Sequence, residues 1–89
     1  MYDHFGLFID GSWRSSADGA TSPVFSPVTE QSLGECPVAS VVDTEAAIAS
    51  ADAGLAKWRA LPAFDRAEAL HRIADEMIRR TDEAARMIA

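Results

Sequence analysis

The only thiol in this sequence, Cys36, is the first residue that could do covalent chemistry. A catalytic cysteine must form its thiolate, which requires a nearby base or an electropositive setting. Its flanking residues are an acid, Glu35, and Pro37, and all three lie in a run typical of a β-strand. We therefore expect Cys36 to be a small packed or half-exposed side chain. A single cysteine cannot form an internal disulfide, which favours a reducing cytoplasmic compartment.

Two histidines, His4 and His71, are the only imidazoles that could act as bases or metal ligands. His4 lies in a terminal segment. His71 lies on a predicted helix, where a metal site would need a second ligand three or four positions further on. Those positions hold Ala74 and Asp75. Because one His–Asp pair is a weak metal signal, we expect His71 to be a partly buried or interface side chain.

No other pattern in the sequence assembles a site. There is no glycine-rich phosphate loop and no G-x-S-x-G nucleophile elbow. Three serines could act as nucleophiles, Ser15, Ser16 and Ser26, but none has a histidine at a suitable spacing in the sequence. Trp13 and Trp58 fit an apolar core better than a ligand pocket. The residues by themselves therefore predict no catalytic residue, no cofactor-binding residue and no metal ligand.

Length and charge limit the classes of protein that this chain can belong to. With 89 residues it forms at most one domain. Its net charge of −6 is −4 over residues 1–42 and −2 over residues 43–89. Neither part offers the basic face that a phosphate backbone requires, so nucleic acid is not an expected partner. No apolar run is long enough to span a bilayer, so a membrane is not expected either.

The elements that would position these residues change in type near Asp43. Residues 1–42 hold most of the glycines and prolines and read as a β-hairpin followed by extended strands. In the stretch LFIDGSWR, Asp10-Gly11 predicts a tight turn between the arms Leu7–Ile9 and Ser12–Arg14. The later runs, PVFSPVTEQ and LGECPVASVV, contain prolines and therefore predict edge strands.

Residues 43–89 read as a helical segment with helices near 43–60, 62–80 and 82–89. Asp43 and Thr81 are expected to be N-caps, and Pro62 fits the first turn of the second helix. The second helix has an apolar face that includes Leu70 and Met77. Its other face carries acid-before-base pairs at i,i+4: Glu68–Arg72, Asp75–Arg79 and Glu76–Arg80.

The third helix stops at Ala89, after an apolar stripe has begun at Ala85 and Ile88 and without a glycine or a polar tail. We therefore expect the chain to be a fragment and its fold to be a single incomplete α+β domain. Because the apolar faces of the last two helices would then lack cover, the isolated chain is expected to self-associate or to be only partly ordered.

Taken in order, these features resemble the N-terminal segment of the aldehyde dehydrogenase superfamily. LFIDGSWR resembles that family's opening hairpin, and GATSPVFSPVTEQSLGECPVAS resembles a strand, a Pro-x-Thr turn and a second strand. The stretch from Val42 to Arg80 resembles its first two helices, and TDEAARMIA the start of its third. The chain departs from the pattern at Ser26 and Glu30, where the family usually has asparagine and glycine, and at Cys36, where an apolar residue is more usual.

The resemblance implies a parent enzyme that oxidises an aldehyde, with a semialdehyde as one substrate class, to a carboxylic acid with NAD or NADP. It implies that these residues belong to the cofactor-binding domain of a homo-oligomer and that their partner is the remainder of the polypeptide. The family's nucleophile, catalytic glutamate and cofactor loops fall beyond residue 89, and a cation site near Val24–Phe25 would lack its other ligands. The 89 residues alone are thus expected to be structural and inactive. A stand-alone amphipathic helical interaction module is the alternative.

Overall fold

The computed structural model describes residues 6–89, so His4 lies outside the described residues. Seven elements follow one another: β1 (Leu7–Ile9), β2 (Ser12–Arg14), β3 (Thr21–Phe25), β4 (Ser32–Pro37), α1 (Val41–Ala60), α2 (Ala63–Arg79) and α3 (Thr81–Ile88). The strands form two separate antiparallel hairpins, β1–β2 and β3–β4. The architecture is α+β, as the sequence predicts.

The first hairpin turns at Asp10-Gly11, which confirms the prediction from LFIDGSWR. Asp10 has a φ of 53° and Gly11 a φ of 78°. A type I′ two-residue turn needs positive φ at both central positions, and its backbone twist matches the twist of the flanking strands. Phe8 lies opposite Trp13, and their ring centroids are 4.9 Å apart. The turn is also tied to α1, because the Ser50 hydroxyl lies 3.2 Å from Asp10 Oδ1.

The second hairpin pairs β3 with β4 and has a register shift between Val24 and Phe25. Its connection contains one helical turn. The Ser26 hydroxyl accepts hydrogen bonds from the Val28 and Thr29 N–H groups, at 3.2 and 3.3 Å. The Glu30 N–H then donates to the Ser26 carbonyl at 2.8 Å. Glu30 ends the turn with a φ of 60°, in the left-handed region that favours glycine.

The start of α1 corrects the expectation that Asp43 is its N-cap. The helix begins at Val41, and the residue before it, Ser40, accepts the Asp43 N–H at its side-chain oxygen over 3.3 Å. The Asp43 carboxylate in turn accepts the Ser40 N–H at 2.9 Å. This reciprocal arrangement is a capping box, in which the side chain of an acid at the third helical position accepts the backbone N–H of the cap residue.

Thr81 does not cap α3 as expected. Arg80 holds the N-cap position, and the Thr81 hydroxyl donates back to the carbonyl of Ile78 at 2.6 Å, at the end of α2. Pro62 precedes α2 as its N-cap residue, one position earlier than predicted, with a ψ of 150° that is not helical. Since Pro62 lacks an N–H, it does not leave a further donor without a partner at this helix start.

The ion pairs of the helices also differ from the predicted i,i+4 set. Among residues 6–89, the structure has two salt bridges, both at i,i+3: Arg79 pairs with Glu76, and Arg80 pairs with Glu83. Arg79 and Arg80 were expected to pair with Asp75 and Glu76. A guanidinium can reach a carboxylate three or four positions away on either side, so the i,i+4 spacing alone does not select the partner. These exposed pairs contribute little to stability.

Burial is confined to a few side chains. Among the described residues, Ile9 is the one apolar side chain below a tenth exposed, at 8%. Trp13 and Trp58, expected in a core, are 54% and 37% exposed. The residues form two compact units, one ending at Gly54 and the other spanning Leu55–Ala89. No helix of the described chain has the length and apolar character that a membrane crossing requires.

The strained turn at Glu30 yields a prediction. We expect Glu30→Gly to stabilise the β3–β4 connection by up to about 1 kcal/mol, because the left-handed region costs an L-residue roughly 1–2 kcal/mol and glycine's freedom in the unfolded chain offsets part of that gain. Amide hydrogen exchange at Ser26 and Val28 measures the opening free energy. Gln31→Gly is the matched control, because Gln31 does not have a positive φ, and it should destabilise the same turn. Faster exchange in Glu30→Gly would contradict the prediction.

Candidate functional site

The most buried polar group in the described residues joins the loop after β2 to the start of α1. Ser16 and Asp43 are 6% and 5% exposed, although 27 positions separate them in the sequence. Together with Ser40 and the backbone of Ala17, they form what we call the Asp43 cluster. The loop residues Ser16 and Ala17 contribute donors, and α1 contributes the acceptor.

Hydrogen bonds converge on the Asp43 carboxylate. The Ala17 N–H lies 3.1 and 3.2 Å from its two oxygens. The Ser40 hydroxyl donates at 2.8 Å, and the Ser16 hydroxyl lies 3.1 Å away. With the Ser40 N–H already described, two backbone and two side-chain donors surround this carboxylate. The arrangement explains how a buried acid stays ionised without a cationic partner.

These donors hold the pKa of Asp43 at about 2, below its ordinary value of 3.8. The backbone N–H of Ser40 makes the largest contribution, followed by that of Ala17 and by the Ser40 hydroxyl, while burial opposes them. A carboxylate that binds a proton so weakly is a poor general base near neutral pH. The Asp43 cluster therefore has the chemistry of a structural tie.

Asp18 forms hydrogen bonds within the loop that follows β2. Its Oδ1 lies 2.6 Å from the Ser16 hydroxyl and accepts the Ala20 N–H at 3.0 Å. The Ser16 bond, followed by that of Ala20, lowers the pKa of Asp18. The Ser16 hydroxyl thus lies between two carboxylates and has one proton to donate. The only acceptors that the described residues place at the Ser16 hydroxyl are these two carboxylates, and both are weak bases. The hydroxyl is therefore not activated as a nucleophile.

Cys36 lies on β4, where it is opposite Ser22 and half-buried with a free thiol. This is the side-chain environment that the sequence predicts. Its strand partner offers a hydroxyl and not a base, and Glu35 beside it accepts a hydrogen bond from Thr21 at 3.1 Å. The described residues therefore supply none of the activating groups that a nucleophilic thiol requires.

His71 is exposed on α2, so the expectation of a partly buried side chain is wrong, while the alternative of an interface side chain stays a prediction. Its ring makes no hydrogen bond or ion pair to another described residue. Across residues 6–89, no three His, Cys, Asp or Glu side chains lie close enough to hold a metal ion. Ser26 is the cap of the Pro-Val-Thr turn, and Ser15 directly follows β2.

An open groove of about 490 Å³ runs between the two hairpins. Arg14, Thr21 and Glu35 are among its polar lining residues, together with Trp13. The Arg14 guanidinium donates to the Ile9 carbonyl at 3.3 Å, and Glu35 is bonded to Thr21. These hydrogen bonds stabilise the hairpins. Ser15 and Ser16 also line the groove, and the hydroxyl of Ser16 is engaged with Asp18 and Asp43.

The sequence contains a signal for one part of the Asp43 cluster, the helix cap. Ser40-Val-Val-Asp43 has the S-x-x-D spacing of a capping box, which fixes the helix start two residues before Asp43. The other part was not readable, because Ser16 and Ala17 reach Asp43 only when the loop after β2 folds against α1. No local pattern predicts a contact over that sequence separation.

Comparison with known proteins identifies the relatives of this sequence. The model of the aldehyde dehydrogenase family matches residues 13–89. A glutarate-semialdehyde dehydrogenase of Pseudomonas aeruginosa is 38% identical over 81 residues, covering 91% of this chain and 17% of the relative. Its counterpart in Pseudomonas putida is 36% identical over 81 residues, with the same coverage. Aminoaldehyde dehydrogenase 2, peroxisomal, of Malus domestica is 36% identical over 88 residues, covering 93% of this chain and 18% of the relative.

The Asp43 cluster yields a prediction about pH. Because the pKa of Asp43 is lower in the folded chain than in the unfolded chain, its stabilising contribution is complete above about pH 4 and is lost as the pH falls towards 2. Asp43→Asn should remove this pH dependence and speed amide hydrogen exchange at Ala17 and Ser40. The measurement is amide exchange by NMR between pH 2 and 5.

Asp52→Asn is the matched control for that experiment. Asp52 is an exposed acid on the same helix and makes none of the hydrogen bonds that hold Asp43. We expect this variant to exchange at Ala17 and Ser40 as the unchanged chain does. Equal exchange in Asp43→Asn and Asp52→Asn would show that the Asp43 cluster does not tie the loop to α1.

Proposed function

This chain belongs to the aldehyde dehydrogenase family, and on that premise we propose that it is the N-terminal segment of an enzyme that oxidises an aldehyde to a carboxylic acid with NAD or NADP. The observation that carries the proposal is the family match over residues 13–89 together with identities of 36–38% across more than nine-tenths of the chain. The chain spans less than a fifth of the length of these relatives, at 17–18%.

A semialdehyde is the proposed substrate class. The support is the names of the relatives: two are glutarate-semialdehyde dehydrogenases, and the third is an aminoaldehyde dehydrogenase. The proposal also includes a homo-oligomeric parent enzyme, which the sequence resemblance implies, and a reducing cytoplasm, which the single cysteine favours.

We infer that the described residues do not hold the nicotinamide dinucleotide. Such a site holds the pyrophosphate at a helix N-terminus, where free N–H groups favour an anion. At the start of α1, the anion that accepts a free N–H group is the chain's own Asp43 carboxylate. The first turns of α2 and α3 also carry acids, Asp65, Asp82 and Glu83, which repel a phosphate. When bound, the cofactor accepts hydride from the substrate, and we assign that binding to the remainder of the polypeptide.

The role proposed for these 89 residues is therefore structural, with no catalytic, cofactor-binding or metal-binding residue among them. We do not assign the catalytic thiol to Cys36, because it is half-buried on a strand and no activating base is found beside it among the described residues. A stand-alone helical interaction module remains the second candidate, favoured by the exposed apolar side chains of α2. The gene sequence downstream of Ala89 separates the two: an open frame for an aldehyde dehydrogenase supports the first, and a stop codon supports the second.

The proposal predicts how activity divides between the two forms of the protein. The full-length enzyme should reduce NAD or NADP with a semialdehyde such as glutarate semialdehyde, and the 89-residue chain should not do so with any aldehyde. Absorbance at 340 nm follows the reduced cofactor. Cys36→Ser in the full-length enzyme should leave kcat unchanged, because we assign the nucleophilic thiol to the remainder of the polypeptide and not to Cys36. Turnover by the 89-residue chain, or loss of activity in Cys36→Ser with the fold retained, would contradict the assignment.

A further inference from the structure

Two aspartate–glycine steps occur in the sequence, and both lie in exposed turns. Asp10-Gly11 connects β1 to β2, and Asp18-Gly19 lies in the loop between β2 and β3. An aspartate before a glycine can cyclise, because the next backbone nitrogen and the side-chain carboxyl carbon close a five-membered ring. Glycine has no side chain to hinder that approach. The two steps share this reactive sequence, so their hydrogen bonds decide which of them reacts.

Conversion of such a step to isoaspartate uses water as its only co-reactant. The glycine nitrogen attacks Cγ of the protonated aspartate, so that an N–Cγ bond forms and a Cγ–O bond breaks. The amide proton and the hydroxyl group leave together as water, which gives a succinimide. Water then opens the ring. Cleavage at Cγ restores aspartate, whereas cleavage at the former backbone carbonyl gives isoaspartate, whose peptide bond runs through the side chain. Nothing is oxidised or reduced.

Hydrogen bonds restrain both reacting groups of the Asp18-Gly19 step. The Gly19 N–H donates to the Ser16 carbonyl at 3.0 Å, which fixes the attacking nitrogen in its turn. The Asp18 carboxylate accepts the Ser16 hydroxyl at 2.6 Å and the Ala20 N–H at 3.0 Å. The same bonds lower the pKa of Asp18 and so reduce the protonated fraction that can lose water. The ring closes here only after these bonds break.

The Asp10-Gly11 step has fewer restraints. In a two-residue hairpin loop the flanking residues make the strand hydrogen bonds, so the Gly11 nitrogen lies outside the ladder. Within residues 6–89 the Gly11 N–H donates to no other residue. Apart from its chain neighbours, no described atom lies within 4 Å of the position that a Cβ of Gly11 would take. The exposed Asp10 carboxylate accepts one hydrogen bond from the described residues, from the Ser50 hydroxyl at 3.2 Å.

We propose that Asp10-Gly11 is a site of spontaneous isoaspartate formation in the folded protein, and that the turn at Asp18-Gly19 protects the second step. The inference does not rest on the proposed function, because the reaction involves this chain and water alone. The product inserts one methylene group into the backbone of a two-residue loop. It also moves the free carboxylate from the side chain that bonds Ser50 to Cα. Conversion therefore loosens the first hairpin from α1.

Ageing of the full-length protein followed by peptide mapping tests this site. The protein is incubated at mildly acidic pH, where part of the free carboxyl population is protonated. Electron-transfer fragmentation distinguishes isoaspartate from aspartate, and a succinimide peptide is lighter by one water. We expect isoaspartate to accumulate on the order of tenfold faster at Asp10 than at Asp18, because each hydrogen bond that must break lowers the reactive population severalfold. Equal rates, or faster conversion of Asp18, would overturn the proposal.

The same protein in urea is the internal control. In the unfolded chain both aspartates still precede a glycine, and neither retains its turn. The two rates should therefore converge, mainly because conversion at Asp18 becomes faster. A difference that persists in urea would come from the local sequence and not from the turns, which also overturns the proposal. The readout is independent of aldehyde oxidation, so an inactive protein that forms isoaspartate at Asp10 removes the proposed function alone.

A pair of variants separates the geometry of the turn from the protonation of the acid. Asp10→Asn keeps a residue favoured in this hairpin turn and loses ammonia in place of water, so it should form isoaspartate faster than the unchanged protein. Asp18→Asn is the matched variant and should stay slower, because the Gly19 N–H remains bonded to the Ser16 carbonyl. Absence of isoaspartate in Asp10→Asn would show that the first turn does not reach the ring geometry, and the proposal would then be wrong.

Discussion

The carboxylate of Asp43 is the constraint on which the first part of this structure depends. It caps α1 together with Ser40 and accepts the N–H of Ala17, so a single side chain defines both a helix start and the course of a distant loop. Because backbone donors satisfy its charge, the cluster needs no cation and no metal. The same bonds that lower its pKa remove it from acid–base chemistry.

That constraint also decides what α1 can bind. A helix N-terminus attracts anions, and dinucleotide sites in many enzymes use this property. Here the protein's own carboxylate fills the position, so the helix is anchored and its dipole is used for stability. The helix start of α1 therefore differs from the helix N-terminus of a dinucleotide site, where free N–H groups face the ligand.

The turn before β4 combines a capped start with a strained end. The hydroxyl of Ser26 accepts the N–H groups of Val28 and Thr29 and so satisfies donors at the start of the turn. Glu30 ends the turn with a left-handed φ, which glycine adopts freely and an L-residue adopts at the cost of backbone strain. Hydrogen bonding therefore stabilises the turn at Ser26, while its geometry is costly at Glu30.

The sequence by itself determined the elements whose causes are local. Asp10-Gly11 specified the first turn, the prolines of the later runs indicated edge strands, and the spacing of Leu70 and Met77 specified an amphipathic helix. Local rules were less reliable for the partners of side chains. Ser40, and not Asp43, is the N-cap residue of α1. Arg79 and Arg80 form ion pairs with acids three residues away, and not four. Only the tertiary structure decided that Ser16 and Ala17 meet Asp43, because that contact depends on how the chain between them folds and not on the pattern of either segment.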